Sequence, residues 1–421
     1  MKKWYRLDTA ALIFPAISQR DWCNVFRLSA GLTEEVEPEI LQRAVDDLAP
    51  RFPSFFVTLH KGFFWYYLEQ NRERVNVRAD YAYPLTFMGK SELRRSCLRV
   101  LYFKNRIAVE FFHSITDGHG GIVFLCTLVA RYLELKYGVD IPKGDMVRDL
   151  SQAPTKAELE DSFLHNAAEV AAGRKETTAY HMYGTPEADG FRHLTTGVVS
   201  SRALLDAAHG YKVSVTAFLA AVMARCIIEM QALELPLRRR RPVKITVAID
   251  LRRFFKSDTL RNFVLVLNPG VDPRYGDYTL AELCSTIYHQ ICAGATRQNM
   301  AAMIAANVQP QKHVALRLAP LMVKNLVMDM VYRQSGESGG SLNVSNLGAV
   351  KLPAEMAPYV ERLEFIIGPQ RSYPNNCSLI SCGEKTYINM IRNTRESELE
   401  RRFFSSLVEL GIAVDIESNT N

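Results

Sequence analysis

The hydrophobic pattern of the first half of the chain predicts helices and β-hairpins in alternation. Residues 34–53, "EEVEPEILQRAVDDLAPRFP", place apolar side chains at helical spacing and stop at Pro53, as a helix does. Aromatic and β-branched runs over 54–68 and 97–113 are each interrupted by a short polar turn, which predicts two hairpins. Apolar residues then recur at helical spacing over 120–138, and a more exposed helix is predicted over 155–173.

The second half of the chain also contains both helix-like and strand-like hydrophobic patterns. It predicts a long buried helix from about residue 216, a helix over 279–298 and a closing helix over 397–411. Strands are predicted over 242–251, 340–348 and 387–393. Because helices and strands are mixed in both halves, the pattern indicates the α/β class, in a layered α+β arrangement of two similar halves.

Between the halves, from Arg174 to about Arg192, the periodic pattern gives way to a polar stretch with glycine, threonine and proline. A chain of 421 residues is too long for one ordinary core. We therefore predict an N-terminal subdomain at 1–175, a linker at 176–194 and a C-terminal subdomain at 195–421.

Composition narrows the possible functions. Hydrophobic residues make up 48% and charged residues 23%, as in a soluble globular protein, and the net charge is +6. This mild excess suits an anionic small-molecule partner and does not require nucleic acid. Arg6, Asp8 and Pro15 interrupt the first apolar patch, so we predict no signal peptide. No stretch approaches 18 uninterrupted apolar residues, so we predict a cytoplasmic protein without a transmembrane segment.

The cysteines predict neither a metal site nor a disulfide framework. None forms a CxxC pair and most lie in apolar stretches, which is typical of buried, reduced thiols. No zinc-binding spacing, phosphate-binding loop or dinucleotide fingerprint is present. The eight cysteines are at positions 23, 97, 126, 226, 284, 292, 377 and 382.

The chemistry concentrates in "EFFHSITDGHGGIVFL", residues 110–125. His113 ends an apolar strand, and an imidazole with an ordinary pKa of about 6.5 can accept a proton at neutral pH. A general base held in this way contributes roughly 10²–10⁴-fold to a rate. Gly118 and the glycines after it allow close approach of the backbone, and the next helix begins there.

Asp117 has three possible roles from the residues alone. It could orient His113 as a member of a catalytic triad, cap the following helix, or anchor the loop by pairing with a distant arginine. The four-residue spacing does not separate these alternatives.

The segment from His113 to Gly118 resembles the HxxxDG motif of the chloramphenicol-acetyltransferase-like superfamily. That superfamily includes alcohol acetyltransferases, plant acyltransferases, mycobacterial polyketide-associated acyltransferases and condensation domains. The opening "WYRLDTAALIFPA", the segment "VAIDLRRFFKSDTLRNF" (247–263) and "NVSNLG" (343–348) resemble segments of its bacterial alcohol-acetyltransferase-like branch, in the same order. The similarity therefore spans nearly the whole chain. Two features differ: Phe112 replaces a second histidine found in many relatives, and the DFGWG loop of the plant branch is absent.

The resemblance implies two acetyltransferase-like subdomains that form a pseudo-dimer around a central tunnel. His113 would be the general base in a direct attack without an acyl-enzyme. Asp117 would be structural and paired with Arg252, with Arg253 as second choice. Ser345 and Asn346 would face His113 from the other half, where one of them could stabilise the oxyanion, a role typically worth about 3 kcal/mol.

The resemblance also implies the partners. The expected function is acyl transfer from acyl-CoA, used as a co-substrate and not as a bound cofactor, to a small alcohol or amine, by a protein that acts as a monomer. Arg239 and Arg240 could contact the phosphates of coenzyme A, although a solvated connection is the simpler explanation of this basic run. Two alternatives remain: a free-standing condensation-type enzyme that uses an acyl carrier protein, and a non-catalytic relative that binds a thioester or a partner.

Overall fold

Two large β-sheets with flanking helices form the frame of the protein in the computed structural model, which describes residues 3–19, 24–71, 73–173, 176–333, 338–370 and 372–419. Each sheet is the centre of one lobe, and each lobe has its own hydrophobic core. The α/β class predicted from the sequence is confirmed. The central tunnel stays a prediction.

The first half of the chain supplies most of the first lobe. Its strands are β1 (Trp4–Arg6), β2 (Val25–Leu32), β3 (Val57–Lys61), β4 (Tyr66–Gln70), β5 (Arg78–Ala79), β6 (Leu98–Phe103) and β7 (Arg106–Phe112). Its helices are α1 (Phe14–Ile17), α2 (Pro38–Leu48), α3 (Lys90–Leu93), α4 (Gly118–Tyr137), α5 (Lys156–Leu159) and α6 (Phe163–Asn166). Strands β1, β4 and β3 form a small separate sheet.

The second half of the chain supplies the second lobe and one strand of the first lobe. Its strands are β8 (His193–Ser200), β9 (Val243–Asp250), β10 (Val264–Leu267), β11 (Gly270–Val271), β12 (Leu342–Val350), β13 (Val360–Ile367), β14 (Asn375–Cys382), β15 (Lys385–Arg392) and β16 (Val414–Ser418). Its helices are α7 (Ser201–Gly210), α8 (Val215–Glu234), α9 (Leu280–Gly294), α10 (Arg297–Lys312), α11 (Val314–Leu318), α12 (Leu321–Val331) and α13 (Glu398–Glu409). The second sheet has the order β10-β9-β12-β14-β15-β8-β16, with β11 also paired to β9.

One strand crosses the predicted boundary between the lobes. The first sheet has the order β13-β2-β7-β6-β5, so its edge strand, β13, comes from the second half of the chain. Strand β13 pairs with β2 in antiparallel register, from Ile367 opposite Phe26 to Val360 opposite Leu32. The predicted division at 1–175, 176–194 and 195–421 therefore does not follow the sheets, and position 175 itself lies outside the described residues.

Helix α4 lies very close to the first sheet, which fixes the position of its first turn. A Cβ added at Gly121 would come within 2.9 Å of Leu28 Cδ1 and 3.0 Å of Phe26, so glycine is what permits this approach. The helix is apolar on most of its circumference because it is buried between the sheet and α2. The strand-turn-helix predicted around His113 is confirmed.

The helix predicted over 155–173 is wrong. Only the short helices α5 and α6 form there, because side chains in this segment are used for tertiary contacts. Glu158 is buried and accepts from both terminal nitrogens of Arg51, at 2.7 and 3.1 Å, and Asp161 accepts from Thr9. Glu160 between them has extended backbone (φ −79°, ψ 158°), which ends the helix.

Helix α8 is long and apolar enough to cross a membrane by length and composition, but 61% of its apolar window is buried inside the protein. It packs against α9, α13 and β9 as the central helix of the second lobe. Of the seven cysteines in the described part of the chain, all are free thiols and five are buried, whereas Cys292 is exposed. Cys23 lies outside the described residues.

Candidate active site

His113 lies between the two lobes, one residue after the end of β7. Its backbone N–H donates to the Asn24 carbonyl at 2.8 Å, which ties the strand end to the start of β2. The imidazole stacks on Phe14 with ring centroids 4.5 Å apart and meets the edge of Phe26 at 5.1 Å. The residue as a whole is half-buried, and these aromatic contacts hold the ring in place.

Asn262 determines which nitrogen of His113 carries the proton. The amide nitrogen of Asn262 donates to Asp8 Oδ2 at 3.1 Å and to the His113 carbonyl at 3.0 Å. Its Oδ1 is therefore the acceptor that lies 2.9 Å from His113 Nδ1. Because Oδ1 can only accept, Nδ1 must donate, and the lone pair of the neutral ring is on Nε2.

Burial lowers the pKa of His113 below its ordinary value of 6.5, because the desolvated ring resists taking a charge. The nearby Asp117 charge and the hydrogen bond to Asn262 oppose this shift but do not overcome it. At neutral pH the ring is therefore neutral and able to accept a proton at Nε2.

Asp117 caps α4 and also pairs with an arginine from the other lobe. Its Oδ1 accepts from the Gly120 N–H at 3.1 Å, and its Oδ2 accepts from Arg252 Nη1 at 2.9 Å and from the Phe263 N–H at 2.8 Å. Burial would raise the pKa of this carboxyl, but Arg252 and the hydrogen bonds hold it below its usual value. Since its oxygens are used in this way while the imidazole bonds to Asn262, the geometry does not form a triad.

Arg252 ties the loop after β9 to the start of α4. Besides Asp117 it donates to Asp250 Oδ1 at 3.0 Å and to the carbonyls of Thr259 and Arg261, both at 2.8 Å. Its side chain is 8% exposed and that of Asp117 is 2% exposed, so this ion pair is buried. Arg253, the second choice from the sequence, is exposed.

Strand β12 of the second lobe reaches the motif through Leu347. A Cβ added at Gly118 would lie 2.5 Å from Leu347 Cδ2, so a glycine at the first position of α4 lets the strand come close. Ser345 and Asn346, which precede Leu347, are half-buried. The Asn346 amide already donates to Thr216 Oγ1 at 3.0 Å and its oxygen accepts from the Gly348 N–H at 2.7 Å.

The structure does not bring Arg239 and Arg240 next to His113. They precede β9, whereas Arg252 follows it, and eight residues of strand separate the two ends by about 25 Å. Arg239 is exposed and Arg240 is half-buried, with its Nε donating to the Leu235 carbonyl. A phosphate contact by Arg239 or Arg240 stays a prediction.

Three residues near His113 had no role in the sequence analysis: Asn262, Asp8 and Phe14. Asp8 is fully buried and accepts from Asn262 and from the Ala11 N–H at 2.7 Å; burial raises its pKa to about 6, although Arg261 opposes this. Asn262 follows Arg261 within the segment already recognised by resemblance, directly before the apolar run at 263–267, and membership of that segment was the available signal. Within the described ranges, no group of three or more His, Cys, Asp or Glu side chains is placed to hold a metal ion.

Solved structures of other proteins share this fold over nearly the whole length of the chain. Polyketide synthase associated protein 5 from Mycobacterium tuberculosis matches with a TM-score of 0.60 and 14% identity, over 96% of both chains. Fusarium graminearum TRI101, complexed with coenzyme A and T-2 mycotoxin, matches with a TM-score of 0.63 and 10% identity, over 98% of this chain and 99% of that chain.

A variant of the starter condensation domain of rhizomide synthetase, in complex with C8-CoA, matches with a TM-score of 0.62 and 13% identity, over 97% of this chain and 95% of that chain. No protein-family model and no curated protein match the sequence. The chain therefore has the two-lobed, chloramphenicol-acetyltransferase-like fold of acetyltransferases and condensation domains, as the resemblance implied.

Proposed function

We propose that this protein is an acyltransferase that moves an acyl group from acyl-CoA to a hydroxyl or amine acceptor, with His113 as the general base. The observation that carries this proposal is the hydrogen bond between His113 Nδ1 and Asn262 Oδ1, which leaves the lone pair of the neutral ring on Nε2. The shared fold supports it, because structures of that fold have been solved with coenzyme A and with acyl-CoA bound.

In the proposed reaction, Nε2 takes the proton of the acceptor as its oxygen or nitrogen attacks the thioester carbonyl. The tetrahedral intermediate collapses, the carbon–sulfur bond breaks, and the imidazolium returns the proton to the leaving thiolate. No acyl-enzyme forms, so catalysis consists of positioning and one proton shuttle. The lowered pKa of His113 suits this role because the ring accepts the proton only for the lifetime of the intermediate.

For the oxyanion, Ser345 is a better candidate than Asn346. The Asn346 amide is already bonded to Thr216, whereas the Ser345 hydroxyl has no hydrogen-bond partner among the described residues. A Ser345→Ala variant should lower kcat by about 10²-fold if this hydroxyl supplies the donor. Asp117, Gly118 and Arg252 would act on the geometry of the loop and not on the substrate.

The test is release of free thiol from acetyl-, longer-chain and aromatic acyl-CoAs in the presence of alcohols and amines. We expect turnover that falls by roughly 10²–10⁴-fold in His113→Ala. The matched control is His209→Ala, because His209 is exposed on α7, away from the motif. Equal turnover of wild type and His113→Ala would refute the assignment of the base.

The same assay separates the other candidates. Turnover with an acyl carrier protein thioester but not with acyl-CoA would indicate a condensation-type enzyme. Thioester binding without thiol release would indicate a non-catalytic relative. Reversal of Arg239 and Arg240 to glutamate should raise the KM for acyl-CoA if these side chains contact its phosphates, and an unchanged KM would remove them from the site.

A further inference from the structure

Helix α12 has its polarity inverted relative to an ordinary surface helix. Leu326 is 72% exposed and Met322 is 74% exposed, whereas the only lysine of the helix, Lys324, is 4% exposed. A surface helix in water normally buries its apolar stripe and exposes its charges. The exposed apolar side chains, which we name the α12 face, are Met322, Val323, Leu326, Val327, Met330 and Val331.

Lys324 holds the helix in this orientation. Its Nζ donates to the carbonyls of Phe64 at 2.9 Å and Arg317 at 3.1 Å, and lies 3.4 Å from the centre of the Trp65 ring. Burial lowers the pKa of this amine. Rotating the helix to hide the α12 face would expose Leu321, now 2% exposed, and break these contacts. The inversion is therefore fixed by specific interactions.

The apolar surface continues beyond the helix. Phe63, at the tip between β3 and β4, is 72% exposed, and its carbonyl accepts from the Leu321 N–H at 2.9 Å, so the tip adjoins the start of α12. Leu318, at the end of α11, is 67% exposed. Apolar residues exposed singly are ordinary, but a contiguous set from three elements marks an interaction surface.

Basic side chains flank this surface. Between residues 312 and 333 the chain carries Lys312, Arg317, Lys324 and Arg333 against one acid, Asp329. Lys312 and Arg317 are exposed, and Asp329 is paired with Arg333 at 2.8 Å. Exposed apolar residues with flanking lysine and arginine are the composition of a helix that lies in the headgroup region of an anionic membrane.

We propose that the α12 face docks on an anionic lipid surface, with its apolar side chains among the headgroups and acyl chain ends, and Lys312 and Arg317 near the phosphates. A second copy of the chain is the competing occupant. A two-fold interface would bring the same basic segment together from both copies, and the repulsion opposes that arrangement. Charge complementarity therefore favours the lipid.

Helix α12 lies near the candidate active site. Helix α12 packs against α1, and α1 carries Phe14, whose ring stacks on His113. Delivery of substrate from the membrane rests on the proposed function: an apolar acceptor or acyl chain would pass from the membrane past α1 to the imidazole. Docking itself does not depend on that chemistry.

The test is co-sedimentation of the full chain with vesicles of phosphatidylcholine, alone or mixed with phosphatidylglycerol. We expect binding to the mixed vesicles that weakens as salt is raised. Leu326→Glu should lower the partition coefficient by about tenfold or more, because an apolar contact is replaced by a charge. The matched control is Leu233→Glu, since Leu233 is 77% exposed on α8 and should not matter.

Further measurements separate a failure of membrane docking from a failure of the proposed acyl transfer. His113→Ala should bind vesicles like wild type, and Leu326→Glu should keep its turnover on water-soluble substrates, so docking and acyl transfer can fail separately. Thermal melting should be the same for both glutamate variants. Equal binding by the two variants, equal binding to the two vesicle types, or no binding would overturn the proposal. A wild-type dimer that Leu326→Glu dissociates, without vesicle binding, would assign the face to a second copy.

Discussion

The hydrogen bond that the His113 imidazole donates to Asn262 gives the most specific prediction. In Asn262→Ala the acceptor at 2.9 Å from His113 Nδ1 is removed, so the buried N–H loses its partner and the ring loses its preferred tautomer. An unsatisfied buried donor costs about 1–3 kcal/mol. If that cost falls on the reactive tautomer, kcat drops by roughly 5- to 150-fold, at or below the low end of the 10²–10⁴-fold expected for His113→Ala.

Two measurements distinguish this role from a general loss of structure. Asn262 acts through His113, so the double variant should be no slower than His113→Ala alone, whereas independent effects would multiply. The rate should also fall at acidic pH, because a protonated imidazole cannot act as a base. Since burial lowers the pKa of His113, this fall should lie below pH 6.5, the ordinary pKa of histidine. The Asn262 hydrogen bond raises the pKa of His113, so its loss should move this acidic limb to lower pH.

The assay is thiol release from acyl-CoA across a pH series, with thermal melting to confirm the fold. Asn389→Ala is the control, because Asn389 is a buried asparagine of the second sheet with hydrogen bonds to Thr196 and Phe365. It should lose stability without shifting the acidic limb. A wild-type rate in Asn262→Ala, or a double variant much slower than His113→Ala, would refute the reasoning.

Two further predictions concern the frame around the imidazole. Arg252→Met should destabilise the fold by about 3–5 kcal/mol in urea denaturation, because it leaves the buried Asp117 carboxylate without its partner. Arg253→Met, at an exposed neighbour, should stay within about 0.5 kcal/mol, and equal losses would contradict this account. Gly120→Ala should cost about 1–3 kcal/mol or more, because the new methyl would overlap the backbone carbonyl oxygen of Leu260, which cannot move away alone. Gly144→Ala meets open space and should melt like wild type, so a harmless Gly120→Ala would refute the close approach.

Local pattern was sufficient for elements whose contacts are close in sequence. The hairpins β3–β4 and β6–β7 and the helix after the motif follow from periodicity and short polar turns, which are properties of neighbouring residues. The helix expected over 155–173 failed for the opposite reason. Glu158 is held by Arg51, more than a hundred positions away, and that buried ion pair outweighed the local helical preference.

The candidate site likewise has residues that the local sequence revealed and contacts that only the tertiary structure revealed. His113 and Asp117 were recognisable because they lie four residues apart at a strand-to-helix junction. Asn262 meets His113 across 149 positions, and the contact depends on the packing of one lobe on the other. Resemblance supplied Arg252 as a candidate partner of Asp117, whereas the spacing had left three alternatives open. No pattern in a single sequence assigns β13 to the sheet of the other lobe.

The placement of β13 has a consequence for how the protein is made. While the ribosome synthesises the first half, the hydrogen-bonding edge of β2 has no neighbour, because the strand that covers it is encoded at residues 360–367. An unpaired edge of this kind recruits other strands and promotes aggregation. We therefore expect that a truncated product ending in the polar stretch would not be an independent half-enzyme, and that co-expression with the remaining piece would be needed to recover soluble material.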